Sequence, residues 1–137
     1  MNSIKGQYAV RGAITLDANT SEQVEIRSRE LIAAIVCENN LGRDGCKIVS
    51  VIISSTADIT AAYPAAAIRK ATCPSAGKEI DFSDIPLFSC LEPAIDGALK
   101  LCVRVLVTVS DYKRQEEFVN HIYLRGAEIL RRDLKRK

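Results

Sequence analysis

The stretch from Leu101 to Val109 constrains the fold more than any other part of the chain. Leu101, Val103, Val105, Val107 and Val109 fall on one side of a period-two pattern, and Cys102, Arg104, Leu106 and Thr108 fall on the other. Branched aliphatic residues at every second position dictate a strand with one face against a core, because a helix would scatter them around its circumference. An arginine in the middle of the second face then needs an anion, since a guanidinium does not shed its proton on leaving water. The pattern recurs from Tyr8 to Leu16. There Tyr8, Val10, Gly12 and Ile14 oppose Ala9, Arg11, Ala13 and Thr15, so Arg11 projects from a face otherwise made of small residues.

Helical signals separate these strands. Thr20-Ser21-Glu22-Gln23 reads as a capping box, after which Val24, Leu31, Ile32, Ile35 and Val36 recur at helical spacing with Glu25 and Arg29 paired on the opposite side. That helix is expected to run to about Asn39 and to stop near Gly42. Lys47 to Ser55, rich in Val and Ile, predicts a central strand buried on both faces, followed by a polar loop from Thr56 to Thr60. Tyr63-Pro64 opens an alanine-rich helix, Ala65 to about Thr72, and Cys73 to Asp84 reads as a connection across the outside. Leu87 to Leu91 predicts a third apolar strand, closed by Glu92-Pro93, with a turn at Asp96-Gly97. Lys113 to Phe118 suits a short polar helix and His121 to Leu124 a last strand. Arg125 to Leu130 fits either a strand or a helical turn. The order predicts one α/β (α+β) domain over residues 8–130, a mixed five-stranded sheet with helices on one side, between an N-terminal extension (1–7) and a basic, frayed C-terminal tail (131–137).

Composition narrows the function. A chain of 137 residues, 47% hydrophobic, is sized for one core. Nineteen Lys and Arg against 17 Asp and Glu leave a net charge of +2, which predicts no nucleic acid and no anionic membrane as partner. Met1 to Gln7 is polar, unlike a secretory leader, and no apolar run approaches the roughly 20 residues that span a bilayer, so a cytoplasmic protein is expected. Five cysteines with no C-x-x-C pair fit reduced thiols better than a disulfide framework. The single histidine, His121, could be a base, a metal ligand or a polar strand residue; with no zinc-like spacing around it the structural reading is preferred, and no metal or cofactor is expected. Arg11-Gly12-Ala13 lacks the second glycine and the lysine of a phosphate loop, and no serine sits in a G-x-S-x-G elbow. Arg11 and Arg104 remain. Their anion is either a protein carboxylate, with Glu92, Asp81 and Asp96 as candidates, or a ligand, and spacing does not separate the two.

Tyr8-Ala9-Val10-Arg11-Gly12-Ala13 resembles the opening strand of the AroH-type chorismate mutases. Ser54-Ser55-Thr56-Ala57-Asp58-Ile59 and Tyr63-Pro64-Ala65-Ala66-Ala67-Ile68-Arg69 resemble their second-strand loop and helix. Cys102-Val103-Arg104-Val105, His121-Ile122-Tyr123-Leu124 and Leu130-Arg131-Arg132-Asp133-Leu134 complete the pattern in the same order, over nearly the whole chain. The resemblance implies a homotrimeric pseudo-barrel with active sites between subunits, and rearrangement of chorismate to prephenate in phenylalanine and tyrosine biosynthesis. It implies that Arg104 faces the ether oxygen, Glu92 accepts from the ring hydroxyl, and Arg11 and Tyr123 hold carboxylates. Phe88, Ser89, Cys90, Leu91 and Glu92 would line the pocket, with Tyr63, Arg69, Leu130 and Arg131 closing it from a neighbouring subunit.

Three departures from the family pattern stand out: Ser89 in place of cysteine, Ala66 in place of a lysine near the pocket mouth, and Arg132 in place of proline. A serine still donates a hydrogen bond, and loss of the lysine leaves Arg69 and Arg131 as outer cations. Two other functions draw on similar features. An imine deaminase of the RidA type would call for a Pro-Ala-Arg-Ser segment, whereas Pro64-Ala65 and Pro93-Ala94 are followed by other residues. A non-catalytic sensor of an aromatic-pathway acid would use the same pocket without turnover.

Overall fold

The computed structural model describes residues 6–113 and 119–131. Apart from Lys113, the short helix expected over Lys113–Phe118 lies outside these residues, as does the tail beyond Arg131. The elements run β1 (Gln7–Thr15), α1 (Ser21–Glu38), β2 (Cys46–Ser55), α2 (Pro64–Arg69), β3 (Thr72–Ser75), β4 (Lys78–Asp81), a 3₁₀ turn (Phe82–Asp84), β5 (Leu87–Leu91), β6 (Cys102–Asp111), β7 (Ile122–Leu124) and a second 3₁₀ turn (Arg125–Ile129). The main sheet has five strands in the order β5-β2-β6-β1-β7. β6 lies antiparallel to β1 and β2, while β5 joins β2 and β7 joins β1 in parallel.

α1 starts where Thr20 accepts a hydrogen bond from the Gln23 backbone N–H at 3.1 Å. The reciprocal half of the expected box is redirected, because the Gln23 side chain accepts from the N–H of Asp17 at 3.0 Å and so ties the helix to the loop before it. Glu25 and Arg29 form their surface pair at 2.9 Å. Val24, Leu31, Ile32, Ile35 and Val36 are buried against the sheet. At the other end Asn40, with φ 49°, takes the left-handed position expected of glycine. Gly42 serves a different need: a Cβ there would lie 2.2 Å from the Ser75 carbonyl oxygen.

Ser75 belongs to a β3–β4 hairpin in the segment read from sequence as an irregular connection. Ala76 (φ 51°) and Gly77 (φ 78°) supply the two left-handed residues that a tight hairpin turn requires. Pro74 fits in this ribbon because two strands alone leave its missing N–H on an open edge. Arg125–Ile129, whose sequence fits either a strand or a helical turn, forms a 3₁₀ turn.

β2 also corrects an expectation. It is buried on one face only: Ile48, Val51 and Ile53 point into the core, while Val49 and Ile52 are exposed. A register shift between Ile48 and Ser50 inserts Val49 as a bulge, which switches the inward positions from even to odd numbers and hides the alternation from a sequence reading. The main core lies between this face, the matching faces of β1 and β6, and the two helices, with Phe82 buried in it. The opposite face is open except where the second 3₁₀ turn folds Ala127 onto Ala13 and Cys102.

The contact at Gly42 is with backbone, which cannot swing aside. Gly42→Ala is therefore expected to destabilise the fold by about 1–3 kcal/mol, the usual range for overpacking. Chemical denaturation would show it as a lowered midpoint, and an unchanged midpoint would disprove the close approach.

Candidate active site

Sheet register brings together residues far apart in the sequence. Ser54 pairs with Arg104, Arg104 with Ala13, and Ala13 with Tyr123, so one row crosses β2, β6, β1 and β7. In the next row Ile52 pairs with Leu106 and Leu106 with Arg11. All these side chains share the face away from the helices. Ala13 leaves room beside the Arg104 side chain. The result is a cavity of about 230 Å³ lined by Arg11, Ser54, Glu92, Arg104, Leu106 and Tyr123, among others.

Glu92 follows the end of β5, and its backbone N–H donates to the Ser55 carbonyl at 2.9 Å, which carries the strand pairing one residue further before Pro93. Its Oε1 lies 3.5 Å from Arg104 Nε. That nitrogen is shut off from solvent and makes no hydrogen bond among the described residues. The Cys102 thiol, buried two residues before Arg104, also lies against the guanidinium; burial pushes its pKa up and the Arg104 charge opposes that. Ser54 Oγ donates to the same Glu92 oxygen, Oε1.

The expected burial of the two arginines needs correcting. The Arg104 side chain is 42% exposed and Arg11 is exposed, because the sheet face on which they stand is open in the single chain. Among the described residues Arg11 makes no ion pair, and neither Asp81 nor Asp96 pairs with either arginine. Asp81 instead caps the first 3₁₀ turn through the Ser83 N–H at 2.9 Å. Among the described residues, of Glu92, Asp81 and Asp96 only Glu92 stands beside either arginine, and only beside Arg104. The outward cation of Arg11 suits an anion supplied from outside the chain.

His121 takes the structural role. Its Nδ1 accepts from the Arg11 backbone N–H at 2.9 Å, beside the pairing of β1 with β7. Burial, and then the charges of Arg11 and Arg131, hold its pKa below the ordinary value. The neutral imidazole is the form that can accept this bond.

The other expected site residues divide into three groups. In the Phe88–Leu91 strand all four side chains are exposed, and the register places Phe88 and Cys90 on the cavity's face but pairs Ser89 with Ile53 and Leu91 with Ser55, on the helix side. Leu130 and Arg131, expected from a neighbouring subunit, border a depression of about 240 Å³ that shares Tyr123 with the main cavity of their own chain. Tyr63 and Arg69 do not reach that cavity. Tyr63, 74% exposed, occupies the N-cap position of α2 and borders a separate hollow with Ala66 and Lys70. Ser54 escaped the sequence reading because the bulge at Val49 conceals which face it shares.

A family model described as chorismate mutase type I matches residues 7–134. The chain is similar to chorismate mutase AroH of Bacillus subtilis (strain 168), 30% identical over 125 residues, which cover 91% of this chain and 90% of that one. It is similar to chorismate mutase AroH of Thermus thermophilus at 33% identity over 126 residues, covering 92% and 94%. In three dimensions it resembles a chorismate mutase from Clostridium thermocellum, with a TM-score of 0.73 and 29% identity over 90% of this chain and 99% of the other.

The lowered pKa of His121 has a consequence for stability. The unfolded chain, with a histidine value of about 6.5, binds a proton more readily than the folded one. The contribution is therefore complete above that value and lost as pH falls through it toward the folded value. Melting temperature is expected to drop between about pH 7 and pH 5, and to drop less in His121→Gln, which keeps an acceptor but does not titrate. Equal slopes in thermal melts of the two proteins would rule this out.

Proposed function

The chain belongs to the type I chorismate mutases, and from that premise we propose that the cavity holding Arg104, Glu92, Arg11 and Tyr123 binds chorismate and converts it to prephenate. The observation that carries this reading is Arg104 itself, near the start of β6, with Glu92 Oε1 3.5 Å away and Arg11 and Tyr123 on the next two strands of the same face.

The reaction is unimolecular, and the ether C–O bond breaks ahead of C–C formation, so negative charge gathers on the ether oxygen in the transition state. A cation fixed on a rigid strand stabilises that charge without reorganising, which is the largest single effect such a site supplies. The planar guanidinium of Arg104 offers several N–H groups to the oxygen, where a lysine would offer a single mobile ammonium. Glu92 accepts from the ring hydroxyl. Arg11 and Tyr123 hold the carboxylates and keep the side chain folded over the ring, a use of binding for orientation that contributes up to about 7–11 kcal/mol in ideal cases. No proton is transferred, so the site needs no tuned acid or base, and the engagement of His121 with the backbone is consistent with that.

The site is completed between subunits of a homotrimer, with the sheets packed as a pseudo-barrel. Two features support this. The open sheet face exposes Val49, Ile52 and Leu106 together with Phe88, an apolar surface that a second copy would cover. Tyr63 and Arg69 stand away from their own chain's cavity and are free to close a neighbour's, while Leu130 and Arg131 approach beside Tyr123 of the same chain. In this reading the enzyme works in the cytoplasm, in phenylalanine and tyrosine supply. Among the described residues no helix is long and apolar enough to cross a membrane. The family model and the similar proteins are described as mutases, and nothing in them favours the imine deaminase or the non-catalytic sensor.

Purified protein is expected to consume chorismate, followed by its absorbance, with no metal or cofactor added. Arg104→Ala should lower kcat by roughly 10²- to 10³-fold while leaving the circular dichroism spectrum unchanged. A silent wild type would sink the mutase reading, and an unfolded mutant would recast Arg104 as structural. Light scattering is expected to give three times the chain mass, and Arg69→Ala to raise KM with little change of fold. Full turnover by a monomer would overturn the shared site.

A further inference from the structure

Ser54 lies in the cavity with no role in the chemistry above. It is half-buried on β2, paired across the sheet with Arg104 on one side and with Cys90 on the other. Its hydroxyl donates to Oε1 of Glu92, the same oxygen that stands 3.5 Å from Arg104 Nε. A carboxylate beside a guanidinium ordinarily closes onto it at about 2.7–2.9 Å, often through two parallel bonds. Here the pair stays open, although Arg104 Nε is hidden from water and has no hydrogen-bond partner among the described residues. The backbone of Glu92 is already fixed by its bond to Ser55, so only the side chain of Glu92 is left to swing toward the arginine.

We propose that Ser54 is a positioning residue whose hydroxyl holds Glu92 short of a closed ion pair with Arg104. A closed pair would occupy the guanidinium fork and cancel its charge where a ligand oxygen must be stabilised. It would also draw away the carboxylate oxygen that accepts from the ligand's hydroxyl. The open pair leaves both groups available to the ligand, at the cost of leaving Arg104 Nε unbonded until a ligand arrives. The identity of that ligand rests on the mutase reading, whereas the geometry of the Ser54, Glu92 and Arg104 contact does not.

Ser54→Ala and Ser54→Thr, each made in the wild type and in Glu92→Gln, test the proposal. Ser54→Ala is expected to lower kcat by about 10-fold, as for loss of a hydrogen bond to a charged group, with KM changed less and with Thr restoring most of the rate. In the Glu92→Gln background no ion pair can close, so the same substitution should add less than about 2-fold. In the resting protein the ¹⁵N-correlated Nε–H signal of Arg104 should shift in Ser54→Ala as Glu92 closes onto it, and Ser54→Thr should leave it in place. An unchanged rate in Ser54→Ala, an equal loss in both backgrounds, or an unmoved Nε–H signal would overturn the proposal. If the wild type itself fails to consume chorismate, the mutase reading falls and the Nε–H comparison alone still decides the role of Ser54.

Discussion

β6 sits between β1 and β2, antiparallel to both, and its register sets Arg104 opposite Ser54 on one side and Ala13 on the other. A slip of one residue would turn Arg104 into the core beneath α1 and expose the valines, because side chains alternate faces along a strand. The register is held at both ends as well as by the valines. Near Thr56 the chain is stitched to β6 by the Cys102 N–H donating to Thr56 Oγ1 at 3.0 Å and by the Thr56 N–H donating to the Cys102 carbonyl at 3.0 Å, while Asp58 accepts from the Leu101 N–H. At the far end Asp111, with no exposed surface, forms an ion pair with Arg43. Removing one partner of such a pair would leave a buried charge unmet, so the contact specifies where β6 ends even if its net contribution to stability is small.

The proposed chemistry gains from being built on strands. Arg104 and Arg11 stand on β6 and β1, neighbouring strands of a sheet backed by the main core, so their backbone positions are determined by packing that has nothing to do with ligand. Electrostatic stabilisation of a transition state depends on dipoles and charges that do not move as charge develops, and a rigid scaffold is the structural form of that requirement. Arg11 also shows how one residue can serve two ends, its backbone N–H held by His121 while its guanidinium makes no ion pair among the described residues.

The turn that carries the chain toward Leu130 and Arg131 is tied to α1. Arg125, with φ 54°, donates from Nε to both oxygens of Glu30 at 3.1 Å, and Glu30 also meets Arg27, which reaches Asp17. Each exposed pair contributes little alone. The network nevertheless joins the loop before α1, the helix middle and the second 3₁₀ turn, and so locates the depression beside Tyr123 relative to the sheet.

Much of this was legible in the sequence. Period-two patterns located β1 and β6 and showed that Arg11 and Arg104 oppose the apolar faces, and the Thr20 cap located α1, because these are signals between near neighbours in the chain. The resemblance of scattered motifs pointed to the family and, with it, to Glu92 and Tyr123. Other features depended on contacts between distant segments. The Val49 bulge, the β3–β4 hairpin, the strand order and the separation of Ser89 and Leu91 from the cavity face arise from which segments pair, and a local pattern carries no record of that choice. The same holds for Ser54, whose hydroxyl meets Glu92 only because β5 lies parallel to β2. Sequence by itself thus determined the period and polarity of each element. Tertiary structure decided which polar groups meet, because hydrogen-bonded register is set by long-range packing of whole faces.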